Sequence, residues 1–176
     1  MQRFLIGGLV LLALTAGVRS DEKSAKVTPP ANPGLERLKK LAGTWVEADK
    51  DGKPTDKVVS VIKVTAAGSA VHETLFPGQP HEMVSVYHRD GADLVMTHYC
   101  ALGNQPRMKA DPKAPANQLH FKFAGGTNLD PTKDKHMHSA TLTLVDDAHI
   151  EVAGVGWQGG APAKDMCCGL KLVRKP

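Results

Sequence analysis

The chain lacks most of the residues and motifs that announce a chemistry. Two Trp, two Tyr and four Phe offer few stacking platforms, and no basic tract of the kind that tracks phosphates is present, so nucleic acid is not an expected partner. There is no Gly-rich phosphate loop, no Ser elbow, no His-Glu-x-x-His helix and no evident pair of carboxylates for acid and base roles, which removes the common hydrolase and phosphotransferase signatures. An excess of one charge is also missing. Lys and Arg number 22 against 18 Asp and Glu, and setting aside residues 1–20, with Arg3 and Arg19 and no acid, lowers the net charge from +4 to +2. Cysteine is scarce and odd in number, with three in 176 residues. At most one intramolecular bridge can form: Cys167 or Cys168 could bridge to Cys100, or all three could be buried as small hydrophobes, and both readings stay open.

Long apolar runs are absent after residue 20. Before it, MQRFLIGGLVLLALTAGVRS has a basic start, an apolar stretch from Phe4 to Val18 and a small-residue cleavage site, the pattern of a secretory signal. The stretch is shorter than the ~20 residues that cross a bilayer, so the expected product is an exported, periplasmic or extracellular protein with no stable membrane anchor after cleavage. Residues 21–33, DEKSAKVTPPANP, read as a flexible leader. Residues 34–176 then form one domain of about 140 residues, enough for a real core. The sequence leaves the oligomeric state open.

What is present is mostly extended. One short helix follows the N-cap Asn32 and Pro33, with Leu35, Leu38 and Leu41 near helical spacing and Gly43 as the stop. After it, alternation and turn residues predict strands at 44–49, 57–65, 69–76, 81–89, 93–101, 118–124, 136–146, 149–158 and 166–174. Residues 102–117 and 127–135, rich in Pro and Lys, read as exposed loops, the first as a rim or lid. An antiparallel meander of this length must protect its edges, so the expected fold is an all-β, up-and-down antiparallel barrel of about 8–10 strands with a short N-terminal helix.

The stretch from His72 to Met108 concentrates the reactive side chains. With Asp90-Gly91 as a two-residue hairpin loop, Arg89 pairs with Ala92, Tyr87 with Leu94 and His81 with Cys100. One face then carries His81, Met83, Ser85, Tyr87, Leu94, Met96, His98 and Cys100, and Tyr87 and Tyr99 fall on opposite faces. Cross-strand neighbours lie ~5 Å apart and diagonal ones ~7–8 Å, so His81, His98 and Cys100 could converge on zinc or copper; ordinary hydrogen-bonded histidines are the competing reading. Cys100 with His81 or His98, oriented by Glu73 or Glu82, has the elements of a thiol nucleophile but no oxyanion pocket, and catalysis is not expected. A turn at Asp147-Ala148 would set His138 opposite Trp157. His136 and His138 would then line a cavity mouth, unless the charged segment Lys133-Asp134-Lys135 leaves them in solvent. Arg107, beside Asn104 and Gln105, offers a planar fork for an anion at the barrel rim, or a solvated turn.

Leu38-Lys39-Lys40-Leu41-Ala42-Gly43-Thr44-Trp45 resembles the entry motif of the calycin group, the lipocalin-like barrels, in which a short helix enters the first strand through Gly-x-Trp. The domain also resembles a group of uncharacterised exported bacterial proteins with lipocalin-like barrels. The resemblance implies that Trp45 packs across the barrel floor, that Arg174 lies over it, and that the interior holds a small, often apolar, molecule without chemistry. Some small barrels of this kind hold haem through one histidine; here that would be His98, with Met83 and Met96 beside it. No cofactor is otherwise expected. The ligand-lining candidates are Trp45, Glu73, Met83, Tyr87, Met96, His98, Tyr99, Arg107, His138 and Trp157.

Overall fold

A computed structural model describes residues 31–175, apart from the side chains of Cys167 and Cys168. The expected signal, and the leader up to residue 30, lie outside the described residues. Helix α1 (Pro33–Lys40) begins as its sequence dictates: the Asn32 side chain accepts from the backbone N–H groups of Gly34 and Leu35, and Pro33 occupies the first turn, where its missing N–H costs nothing. Leu35, Leu38 and Leu41 are buried.

Ten strands follow: β1 (Gly43–Ala48), β2 (Pro54–Thr65), β3 (Ala70–Leu75), β4 (Met83–Asp90), β5 (Asp93–Tyr99), β6 (Gln105–Ala110), β7 (Gln118–Thr127), β8 (His136–Leu144), β9 (His149–Gln158) and β10 (Ala161–Arg174). Each pairs antiparallel with its neighbour in sequence, and β1 pairs with β10, so the sheet closes into an up-and-down barrel. Closure removes every free edge. Helix α1 plugs one end. It packs on β3 and β4, Asn32 Nδ2 donates to Ala92 O at 3.0 Å, and Arg37 donates to Ala116 O and Gln118 O near the start of β7. Trp45 lies fully buried just above this plug, with Nε1 donating to Leu41 O at 2.9 Å. The Arg174 guanidinium sits 4.4 Å from the centre of its ring and donates to the carbonyls of Lys40, Ala42 and Asp147. The floor therefore has the Trp and Arg arrangement that the resemblance implies.

Three expectations are corrected. Residues 102–117 are not one long loop, because β6 runs through them, with Pro106 and Met108 buried and Arg107 and Lys109 exposed. Pro106 is tolerated because it sits at a register break against Gly126, where a ladder hydrogen bond is already disrupted. The β4–β5 hairpin pairs Asp90 with Asp93, not Arg89 with Ala92. Its loop is Gly91-Ala92, with Gly91 at φ 60° in the first loop position, where a type II′ turn requires glycine. The shift is two residues on β5, an even number, so the face assignments survive. At β8–β9 the slip is odd. Leu142 pairs with Val152 and Ala140 with Gly154, and a register shift between Met137 and Ser139 makes His138 the extra residue of a bulge.

Candidate functional site

Two cross-strand rows on the inner wall hold the candidate site. In one, Ile62 on β2, Glu73 on β3, Ser85 on β4 and His98 on β5 stand opposite one another in turn. In the next, Val71, Tyr87, Met96, Met108 and Phe123 do the same across β3 to β7. The hairpin face read from the sequence is thus the inner one. The structure draws its polar members into two buried hydrogen-bonded groups. Ser60 Oγ donates to Glu73 Oε1 at 2.6 Å and Tyr87 Oη donates to Glu73 Oε2 at 2.6 Å. Beside them, Ser85 Oγ lies 3.0 Å from His98 Nδ1.

Glu73, which can only accept, receives both hydroxyl hydrogen bonds. His98 shares a hydrogen bond with Ser85 through Nδ1, and its Nε2 is buried without a partner among the described residues. Burial holds the imidazole neutral by lowering its pKa from 6.5 to about 4. Burial also raises the Tyr87 phenol well above its ordinary value, and the Glu73 charge adds to the effect. Asn104 Oδ1, just before β6, is a buried acceptor without a partner among the described residues, while its Nδ2 ties the turn to Lys135 O at 2.8 Å.

Between this network and the floor lies a cavity of about 40 Å³, lined by Glu73 and Tyr87 and otherwise mainly by apolar groups, among them Leu38, Ile62, Val71, Phe121 and Leu142. A drug-sized ligand fills ~300–1,000 Å³, so this space takes a far smaller body, about three water-sized groups. It does not fit a haem. A second concavity, about 300 Å³, lies on the outer wall along β8, β9 and β10, where Glu151 and Lys171 pair at 3.6 Å.

At the barrel end away from α1, aromatic rings form a stack. The bulge turns His138 between Trp157, at 3.8 Å and 12° between planes, and Phe123, at 5.0 Å and 19°. His136 is fully buried rather than in solvent, and its Nε2 lies 3.1 Å from His138 Nδ1. Burial, and then the His136 charge, lower the His138 pKa.

The remaining candidates fall elsewhere. Met96 is buried in packing and Met83 is half-buried at the same end as the aromatic stack. Tyr99 is 50% exposed and points outward, as the opposite-face rule requires once Tyr87 is inside. Arg107 stands on the outer wall, ion-paired with Asp90 at 2.5 Å, because the strand that replaces the expected loop alternates it away from the interior. His81 precedes β4, is exposed and rests against Phe76. It therefore does not converge with His98 and the half-buried Cys100, and among the described residues no group of three His, Cys, Asp or Glu is placed to hold a metal. The bridges weighed for Cys167 and Cys168 lie outside the described side chains. Ser60 was not singled out from sequence, because its contact with Glu73 comes from the β2–β3 pairing. Asn104 was read as a rim donor and His136 as a cavity-mouth or exposed residue, and the structure buries both. The chain matches no protein-family model and no curated protein.

Proposed function

We propose that this chain is an exported, calycin-like barrel that binds one small molecule non-covalently inside its wall. The observation that carries the reading is unfilled space of about 40 Å³ beside an internal polar network, in a barrel otherwise packed by Trp45, Met108 and Phe121. A polar network within a solid core would need no neighbouring void. A void in a purely apolar core would need no network. The export reading rests on residues 1–20, and the lipocalin-like reading on Gly43-Thr44-Trp45 with Arg174 over the Trp ring. No catalytic role is proposed, because His98 is committed to Ser85 through Nδ1 and Cys100 lies in the turn after β5.

Thermal-shift titration of small polar molecules tests this, with wild type compared to Ala140→Leu, which fills the cavity. A ligand at 100 times its Kd stabilises by about 2.7 kcal/mol, well within reach of the method. At least one compound should raise the wild-type Tm saturably and leave Ala140→Leu unmoved. Saturable binding that ignores Ala140→Leu would place the site elsewhere and overturn the reading.

A further inference from the structure

We infer that the molecule this cavity takes is a small protonated amine, its ammonium group seated on the Glu73 carboxylate. The inference rests on the small-molecule reading above and adds the charge and size of the ligand.

It follows from the sign of everything that points inward. Among the described residues the buried polar side chains are Ser60, Glu73, Ser85, His98, Asn104 and His136, and none is Lys or Arg. Glu73 is 9% exposed and has no cationic partner among the described ion pairs. A buried carboxylate without a counter-charge is the expensive arrangement, and two hydroxyl bonds soften it without neutralising it. A carboxylate also offers about four lone-pair positions, of which Ser60 and Tyr87 fill two.

The hydroxyls on the carboxylate, Ser60 and Tyr87, already donate to Glu73, and the Thr141 hydroxyl lies 2.8 Å from His120 Nδ1. An anionic ligand would meet the Glu73 charge. A hydrocarbon would suit the apolar walls and leave the carboxylate as costly as before. An ammonium supplies both the missing donors and the missing charge. The rings of Tyr87 and Phe121, whose centroids are 5.6 Å apart, line the same space and present π systems that favour a cation. A volume of about 40 Å³ limits the molecule to about three heavy atoms, the size of methylammonium or ethylammonium.

Calorimetric titration with methylammonium and ethylammonium chloride, against ethanol, sodium acetate and potassium chloride at constant ionic strength, tests the assignment. Wild type should bind the two ammonium ions saturably and none of the other three. Glu73→Gln, which keeps the shape and removes the charge, should weaken ethylammonium at least tenfold, and Ala140→Leu should abolish its binding. If ethanol, acetate or potassium binds as tightly as ethylammonium, or if Glu73→Gln binds it unchanged, the charge inference fails while the cavity reading stands. If no molecule of any class binds wild type, both fail. The wild-type comparison alone decides the question of charge, so misfolding of Glu73→Gln does not remove the test.

Discussion

His98 shows how far one residue's surroundings set its behaviour. Its ring is 3% exposed, hydrogen-bonds to Ser85 through Nδ1, and has its pKa lowered by burial. Its pKa falls from 6.5 to about 4, so between those values the unfolded chain binds a proton that the folded chain refuses. The stability this group contributes is therefore full above pH 6.5 and is lost as pH falls towards 4, by about 3 kcal/mol from a shift of this size at about 1.4 kcal/mol per pH unit. Urea unfolding at pH 7 and pH 4.5 should show a steep loss in wild type and a distinctly smaller one in His98→Leu; equal losses would mean that His98 charges freely in the folded protein. Tyr87, Ser85 and His98 were legible as one face from strand alternation alone, because an even register error leaves that assignment unchanged. The second hydroxyl on Glu73, Ser60 on β2, could not be read. Its contact with Glu73 depends on β2–β3 pairing that no local pattern encodes.

Among the elements, β6 was the one concealed. QPRMKA alternates as a strand should, but Pro106 argues against a ladder, and the lysines and prolines around it give the composition of a loop. The structure keeps it as a strand because Pro106 falls at a register break and Met108 is needed between Met96 and Phe123 to fill the inner wall. Met108 is fully buried, so Met108→Ala should cost about 2–5 kcal/mol, whereas an exposed rim loop would lose almost nothing. A Tm unchanged by Met108→Ala would contradict the strand. The other misreading begins at the β8–β9 turn, where Leu144 pairs with Ile150, one residue off the expected register, which reverses the faces from Ser139 to Leu144. The bulge at His138 then turns the imidazole into the Phe123 and Trp157 stack rather than into solvent. The helix, the turns and the closing Trp45 were legible because caps, glycine turns and Gly-x-Trp act over a few residues.

For the molecule as a whole, closure ties these parts together. Ten strands enclose a wider space than eight, and the chain fills most of it from α1 upward with Leu38, Trp45, Met108 and Phe121. What remains unfilled lies against the only carboxylate among the buried side chains of the described residues. Arg107 lies outside on an ion pair and no lysine among the described residues is buried, so the interior differs in sign from the anion-contacting rim that the sequence suggested. The most direct test is a methyl-detected NMR titration of the wild-type protein with ethylammonium, following Val71, Leu142 and Val152 at the cavity and Val64 and Val145 on the exposed surface. Saturable shifts are expected in the first group with the second group still. Shifts confined to the second group, or none in either, would mean that the cavity beside Glu73 takes no ammonium.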